Sequence, residues 1–110
     1  MTGAAQGFGF ACARRLSEAG AAVTLADRRP DRLDVARSLL GESGGRVVAV
    51  TGDISDEADV ERLVAATVEE HGRIDILVNN AGVFSNFLLE HLEPAEFQRI
   101  LGVNVGGSFL

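Results

Sequence analysis

The sequence predicts an α/β chain built on a doubly wound parallel sheet with helices on both faces. Three observations carry this expectation. Short, largely apolar runs alternate with stretches of helical length and periodicity, the pattern of a parallel sheet covered by helices. A glycine-rich turn, Gly3 to Gly9, opens the first helical stretch. The first apolar run after that helix ends on an acidic residue, Asp27.

The elements follow in order. A helix is expected from Phe8 to about Ala19, closed by Gly20, with Gly9, Cys12, Ala13 and Leu16 on a close-packing face. Ala21 to Ala26 reads as a strand, and Pro30 begins a helix over Asp31 to Leu40 that Gly41 to Gly45 interrupts. Arg46 to Val50 is a second strand. Ser55 is the expected N-cap of a third helix, with Asp56 and Glu57 in its first turn and Val60, Leu63, Val64, Thr67 and Val68 along one stripe. Gly72 ends it. Ile74 to Val78 is expected as a third strand, leading into Asn79-Asn80-Ala81-Gly82. Residues 83–92 connect to a last helix from Pro94, which carries Phe97, Ile100, Leu101, Asn104, Val105 and Ser108 on one face.

Composition narrows the possible partners. The net charge of −6 and the absence of a basic patch argue against a nucleic-acid or anionic-membrane binder. A single cysteine, Cys12, allows neither an internal disulfide nor a cysteine metal cluster, and no metal site is expected. Cys12 reads as a core residue, with an exposed thiol as the alternative. No run approaches the ~20 apolar residues of a membrane span, so the expected location is cytoplasmic. His71 reads as a helix-terminal residue favoured by the dipole. His91 has no converging ligands in the sequence pattern.

The chemistry-bearing residues cluster early. Gly3 permits the turn, while Gly7 and Gly9 let backbone approach a pyrophosphate and let the helix pack closely. Asp27 at a strand end can accept hydrogen bonds from an adenosine ribose and repel a 2′-phosphate, which favours NAD over NADP. Arg28 and Arg29 pull the other way, since an arginine there accommodates the phosphate. The alternative for Asp27 is a solvent-facing turn residue.

Taken together, these motifs resemble those of the short-chain dehydrogenase/reductase family. Thr2, Gly3, Gly7 and Gly9 match its Thr-Gly-x-x-x-Gly-x-Gly fingerprint. Asp53-Ile54 matches its adenine-bracketing pair, Asn79 to Gly82 its Asn-Asn-Ala-Gly motif, and Asn104 its helix asparagine. The resemblance implies a Rossmann-type fold and hydride transfer between NAD(P) and an alcohol or carbonyl substrate. It implies that Asp53 bonds the adenine amino group, that Ile54 presents backbone to the ring, and that Asn80, Ala81 and Gly82 line the ribose region. Ala5, Gln6, Phe8, Arg28 and Val103 complete the expected cofactor contacts. It assigns Asn104 a catalytic role, holding a backbone carbonyl for a water in a proton relay. Asn104 falls on an apolar stripe, where a buried amide needs hydrogen-bond partners; the alternative is a satisfied, helix-kinking asparagine.

The departures are equally specific. The family's catalytic serine and Tyr-x-x-x-Lys pair follow the helix asparagine, and this chain contains neither tyrosine nor lysine. Residues 1–110 are therefore expected to be a partial domain truncated at both ends, with the first strand largely missing and no catalytic activity as given. The alternative is a non-catalytic dinucleotide-binding or regulatory module. Phe84, Phe87, Leu88 and Leu89 are expected either to line a substrate cleft or to pack under the last helix. Family members commonly form homo-oligomers, which the resemblance extends to the full-length protein.

Overall fold

The computed structural model describes all 110 residues. Helix α1 spans Gly7–Glu18, strand β1 Val23–Asp27, helix α2 Pro30–Glu42, strand β2 Val47–Thr51 and helix α3 Glu57–His71. A single 3₁₀ turn at Leu89–His91 precedes helix α4, Pro94–Leu101, which continues through a π-helical turn, Gly102–Gly106, into a short α5, Gly107–Phe109.

β1 and β2 pair in parallel, Val23 opposite Val47 through Asp27 opposite Thr51. The β-branched residues of Val47-Val48-Ala49-Val50-Thr51 suit this pleated, partly covered surface. The intervening α2 supplies the crossover that a parallel pair requires. Pro30 sits at its first turn, where a missing N–H costs nothing. The helix passes through Gly41 to Glu42, past the expected break, and Leu33, Ala36 and Leu40 form its buried face. These meet Ala4, Ala13, Val23 and Leu25 in one core. Leu25, Leu33 and Leu40 are fully buried, each contributing about 1.5–3 kcal/mol.

Two features of α1 and α3 differ from expectation. The buried face of α1 is narrow, Gly9 and Ala13, and Cys12 lies beside it exposed, because no element packs over that flank. The N-cap of α3 is Asp56, whose carboxylate accepts from the Asp59 amide at 3.0 Å. Ser55 is drawn away from capping because its amide and hydroxyl both donate to Asp53 Oδ1, at 2.9 and 2.7 Å.

The third expected strand, Ile74 to Val78, makes no ladder. The sheet has two strands, and β1's other edge meets a single parallel bridge from Thr2 to Ala26. Thr2 also donates its amide to the Val78 carbonyl at 3.1 Å. Residues 1 and 2 thus lie between β1 and the 74–78 segment. A groove of about 450 Å³ remains there, walled by Val23, Thr24, Leu63, His71, Ile74 and Val78 among others. Ile76 and Leu77 are 64% and 66% exposed. His71 ends α3 as expected, but its ring is turned into this groove and neither nitrogen has a protein partner. The wider doubly wound sheet is therefore present only as its parallel pair and flanking helices.

The last helix is also barer than its sequence pattern implies. Phe97, Leu101 and Val105 are exposed, as are Phe84, Phe87, Leu88 and Leu89. The latter four stand exposed rather than packed under the helix. No helix is long and apolar enough to cross a membrane.

Candidate dinucleotide-binding site

The glycine-rich turn takes its shape from two local constraints. Gly7 has φ +58° with open space where a Cβ would sit, so its conformation, rather than crowding, calls for glycine. Gly9 is constrained by space: a Cβ there would collide with the Gly3 carbonyl and stand 2.5 Å from Asn80 Nδ2. Gly9 therefore serves close packing of helix on turn, and it does so against Gly3 and Asn80. Gln6 provides no side-chain cap to α1, and the first turn has no acidic residue. The leading N–H groups of the helix are thereby left to an external acceptor, in a positive field suited to an anion.

Asn80 ties this turn to the segment after residue 78. Its Nδ2 donates to the carbonyls of Thr2 and Gly3 at 3.0 and 3.2 Å. The amides of Asn80 and Ala81 both donate to Thr2 Oγ1, at 3.0 and 3.1 Å. Residues almost eighty positions apart are thus held within one hydrogen-bond cluster, and Thr2 works as its hub.

Asp27 closes β1 and is 7% exposed, so it is not a solvent-facing turn residue. Its Oδ2 accepts from the Ala5 amide at 3.2 Å. Its Oδ1 accepts from the Arg29 amide and from Arg29 Nε, both at 3.1 Å, while Arg29 Nη2 donates to Oδ2 at 3.3 Å. Burial pushes the carboxyl up, but the Arg29 side chain and the two amides outweigh it and hold the pKa below the usual carboxylate range. Asp53 is also lowered, chiefly by the Ser55 hydroxyl and amide, and its Oδ2 makes no protein hydrogen bond.

A cleft of about 340 Å³ brings these parts together. Of the residues singled out in the sequence, Gly3, Gln6, Gly7, Phe8, Gly9, Asp27, Arg28, Asp53, Ile54, Asn80, Ala81, Gly82 and Val103 line it. Ala5 does not, and acts instead through its amide on Asp27. Arg29, which the sequence offered beside Arg28 as a partner for a 2′-phosphate, lines the cleft, as do Ala26, Gly52 and Val83, which were not singled out. Gly52 and Val83 carried no sequence signal. The larger groove beside β1 lies along the sheet, away from the helix N-terminus and the carboxylates.

Asn104 does not line the cleft and is exposed. Its side chain is therefore not a buried amide in need of partners. Its carboxamide instead clasps Val83, accepting from the Val83 amide at 2.8 Å and donating to the Val83 carbonyl at 2.9 Å. It sits within the π-helical turn, where the helix widens. Gly82 packs beside it, and a Cβ there would stand 3.4 Å from Asn104 Oδ1.

The short chain dehydrogenase family model matches residues 1–110. The chain belongs to that family. It is 43% identical to glucose 1-dehydrogenase of Gluconobacter oxydans, over 100% of this chain and 42% of that protein. Among solved structures, 3-ketoacyl-(acyl-carrier-protein) reductase from Brucella melitensis, complexed with NADH, superposes with TM-score 0.92 at 43% identity. That match covers 99% of this chain and 44% of the other. L-sorbose reductase from Gluconobacter frateurii, complexed with NADPH and L-sorbose, gives TM-score 0.93 at 33% identity over 99% and 42%. The chain thus spans less than half the length of these relatives.

Proposed function

We propose that these residues form the cofactor-binding part of an NAD(P)-dependent oxidoreductase acting on an alcohol or carbonyl substrate. The observation that carries this reading is the cleft itself. In it an uncapped helix N-terminus, the Asp27 and Asp53 carboxylates and the Asn80–Gly82 backbone face one space. The bound cofactor would supply hydride chemistry, and the chain supplies binding and orientation. The α1 amides would receive the pyrophosphate, Asp27 the adenosine ribose, and Asp53 with its open Oδ2 the adenine amino group. Asn80, Ala81 and Gly82 would border the nicotinamide-side ribose. Asn104, through its clasp on Val83, would set the backbone beside that ribose.

The NADH and NADPH complexes of the relatives support a dinucleotide of either kind. Asp27 supports NAD as the preferred one. In the same reading the β1–β2 pair belongs to a wider doubly wound sheet with helices on both faces, in which Ile74 to Val78 takes its place as a strand. The whole protein is then a homo-oligomeric, cytoplasmic enzyme using a small-molecule substrate.

Titration of the purified chain with NAD⁺ and NADH, followed by calorimetry and nicotinamide fluorescence, tests the reading. Saturable binding is expected; no binding up to millimolar cofactor overturns it. A second reading is a non-catalytic dinucleotide-binding module. Binding without turnover of any alcohol or carbonyl by the native protein would select it.

A further inference from the structure

Asp53 lines the cleft, but a residue outside the cleft holds it in place. Within its own turn, Asp53 Oδ1 accepts from the Ser55 amide and hydroxyl, and its carbonyl accepts from the Asp56 amide at 3.1 Å. Its amide reaches further and donates to Asp59 Oδ2 at 2.8 Å. Asp59 is the third residue of α3, the position from which a capping-box side chain turns back to the N-cap amide. Here that amide, of Asp56, already has the Asp53 carbonyl, and the Asp59 carboxylate extends to Asp53 instead. Buried Gly52 leaves room for it: a Cβ there would stand 3.4 Å from Asp59 Cβ and Oδ2. Arg62, one turn on, completes the arrangement, its Nη2 donating to Asp59 Oδ1 and its Nη1 to the Thr51 carbonyl at 2.7 Å. Between these ties the Gly52 amide donates to the Asp27 carbonyl at 3.1 Å. One carboxylate–guanidinium pair on α3 thus grips the chain on both sides of Gly52. The two side chains are 30% and 53% exposed, so as an ion pair they contribute little to stability. What they contribute is direction, because every polar group of Asp53 except Oδ2 is then committed.

Resting on the cofactor reading above, we propose that Asp59, braced by Arg62, is a positioning residue for adenine recognition. It accepts the Asp53 amide and so fixes the backbone from which Asp53 Oδ2 meets the adenine amino group. Asp59 itself touches no part of the cofactor, so its removal acts on the discrimination of the base and not on binding as a whole. Without that acceptor the Asp53 amide turns to water, and the carboxylate loses its direction.

The test is calorimetric titration of the chain and its variants with NAD⁺ and with nicotinamide hypoxanthine dinucleotide, which carries a keto oxygen in place of the adenine amino group. Circular dichroism verifies folding. The parent chain is expected to prefer NAD⁺ by about tenfold or more, the scale of one hydrogen bond to a charged group. Asp59→Ala is expected to narrow that preference to within about threefold, chiefly by weakening NAD⁺. Asp59→Asn keeps an acceptor for the Asp53 amide while Arg62, half exposed, swings aside, and it is expected to retain most of the preference. Equal weakening of both dinucleotides in Asp59→Ala would mean that Asp59 merely supports the fold, and would overturn the proposal. So would an Asp59→Asn variant that discriminates no better than Asp59→Ala. If Asp59→Ala does not fold, Arg62→Ala removes only the brace and is expected to narrow the preference by less; an unchanged preference there overturns the proposal. Equal binding of the two dinucleotides by the parent chain overturns it as well. Failure of both to bind the parent overturns the cofactor reading itself, which is a distinguishable outcome.

Discussion

Asp27 shows how one side chain acquires its properties from three directions. Its place at the end of β1 buries it, its neighbour two residues on neutralises it, and an amide from the glycine-rich turn anchors it. Its folded pKa lies below the ordinary carboxylate value, so its contribution to stability is fully present above about pH 3.9. That contribution is lost as pH falls through the lower, folded pKa. Urea denaturation from neutral to acid pH is expected to show this loss, and Asp27→Asn is expected to flatten the acid limb of the profile while lowering stability at neutral pH. An unchanged acid limb in Asp27→Asn would assign the loss to other carboxylates, Asp53 first. The acidic strand end was legible in the sequence because position and residue type suffice to mark it. Its saturation by Arg29 was not, because side-chain conformation in a chain turn depends on what α1 and α2 leave open around it.

At the scale of the element, capping separates what pattern reading can do from what it cannot. Ser55, Asp56 and Glu57 all favour a helix start, and the start does fall among them. Which one caps was decided by Asp53, which captures both donors of Ser55 and leaves Asp56 to accept from Asp59. Asp56→Ala is therefore expected to destabilise the fold by about 1 kcal/mol through loss of the cap, read from urea midpoints. Ser55→Ala is expected to leave α3 capped and instead to relax the Asp53 turn. Equal helix loss in the two variants would place the cap on Ser55 after all. The order of helices and the two paired strands were legible from hydrophobic periodicity. The Ile74 to Val78 segment forms no ladder here because strand propensity is realised only when a neighbour supplies one, and Thr2 alone reaches Val78. The face of Cys12 was misjudged because a run of small residues marks where close packing is possible without saying which flank receives a partner.

The whole molecule buries 14 of its 110 residues, and its core lies on the α1–α2 side of the sheet pair. The opposite consequence is a large apolar exposure, concentrated in the groove beside β1 and along α4. Exposed apolar area on this scale binds hydrophobic dyes and partner surfaces. The chain is expected to enhance anilinonaphthalene sulfonate fluorescence under native conditions, and Leu77→Ser to reduce it while changing stability by no more than about 0.5 kcal/mol, as for an exposed site. A loss of several kcal/mol in Leu77→Ser would mean that Leu77 is covered in solution, and analytical ultracentrifugation would then show whether a second copy covers it.

The sequence by itself determined the alternation of helices and strands, the turn glycines and the order of the cleft's motifs. These are local properties, set by backbone freedom at Gly7, by proline at the start of α2 and by the spacing of apolar residues. Only the tertiary structure decided that Thr2 joins Asn80 to the turn, that Asn104 spends its amide on Val83, and that Arg29 covers Asp27. Each of those is a set of hydrogen bonds whose partners are chosen by which polar groups are left unpaired once the elements have packed, and that choice exists only in three dimensions.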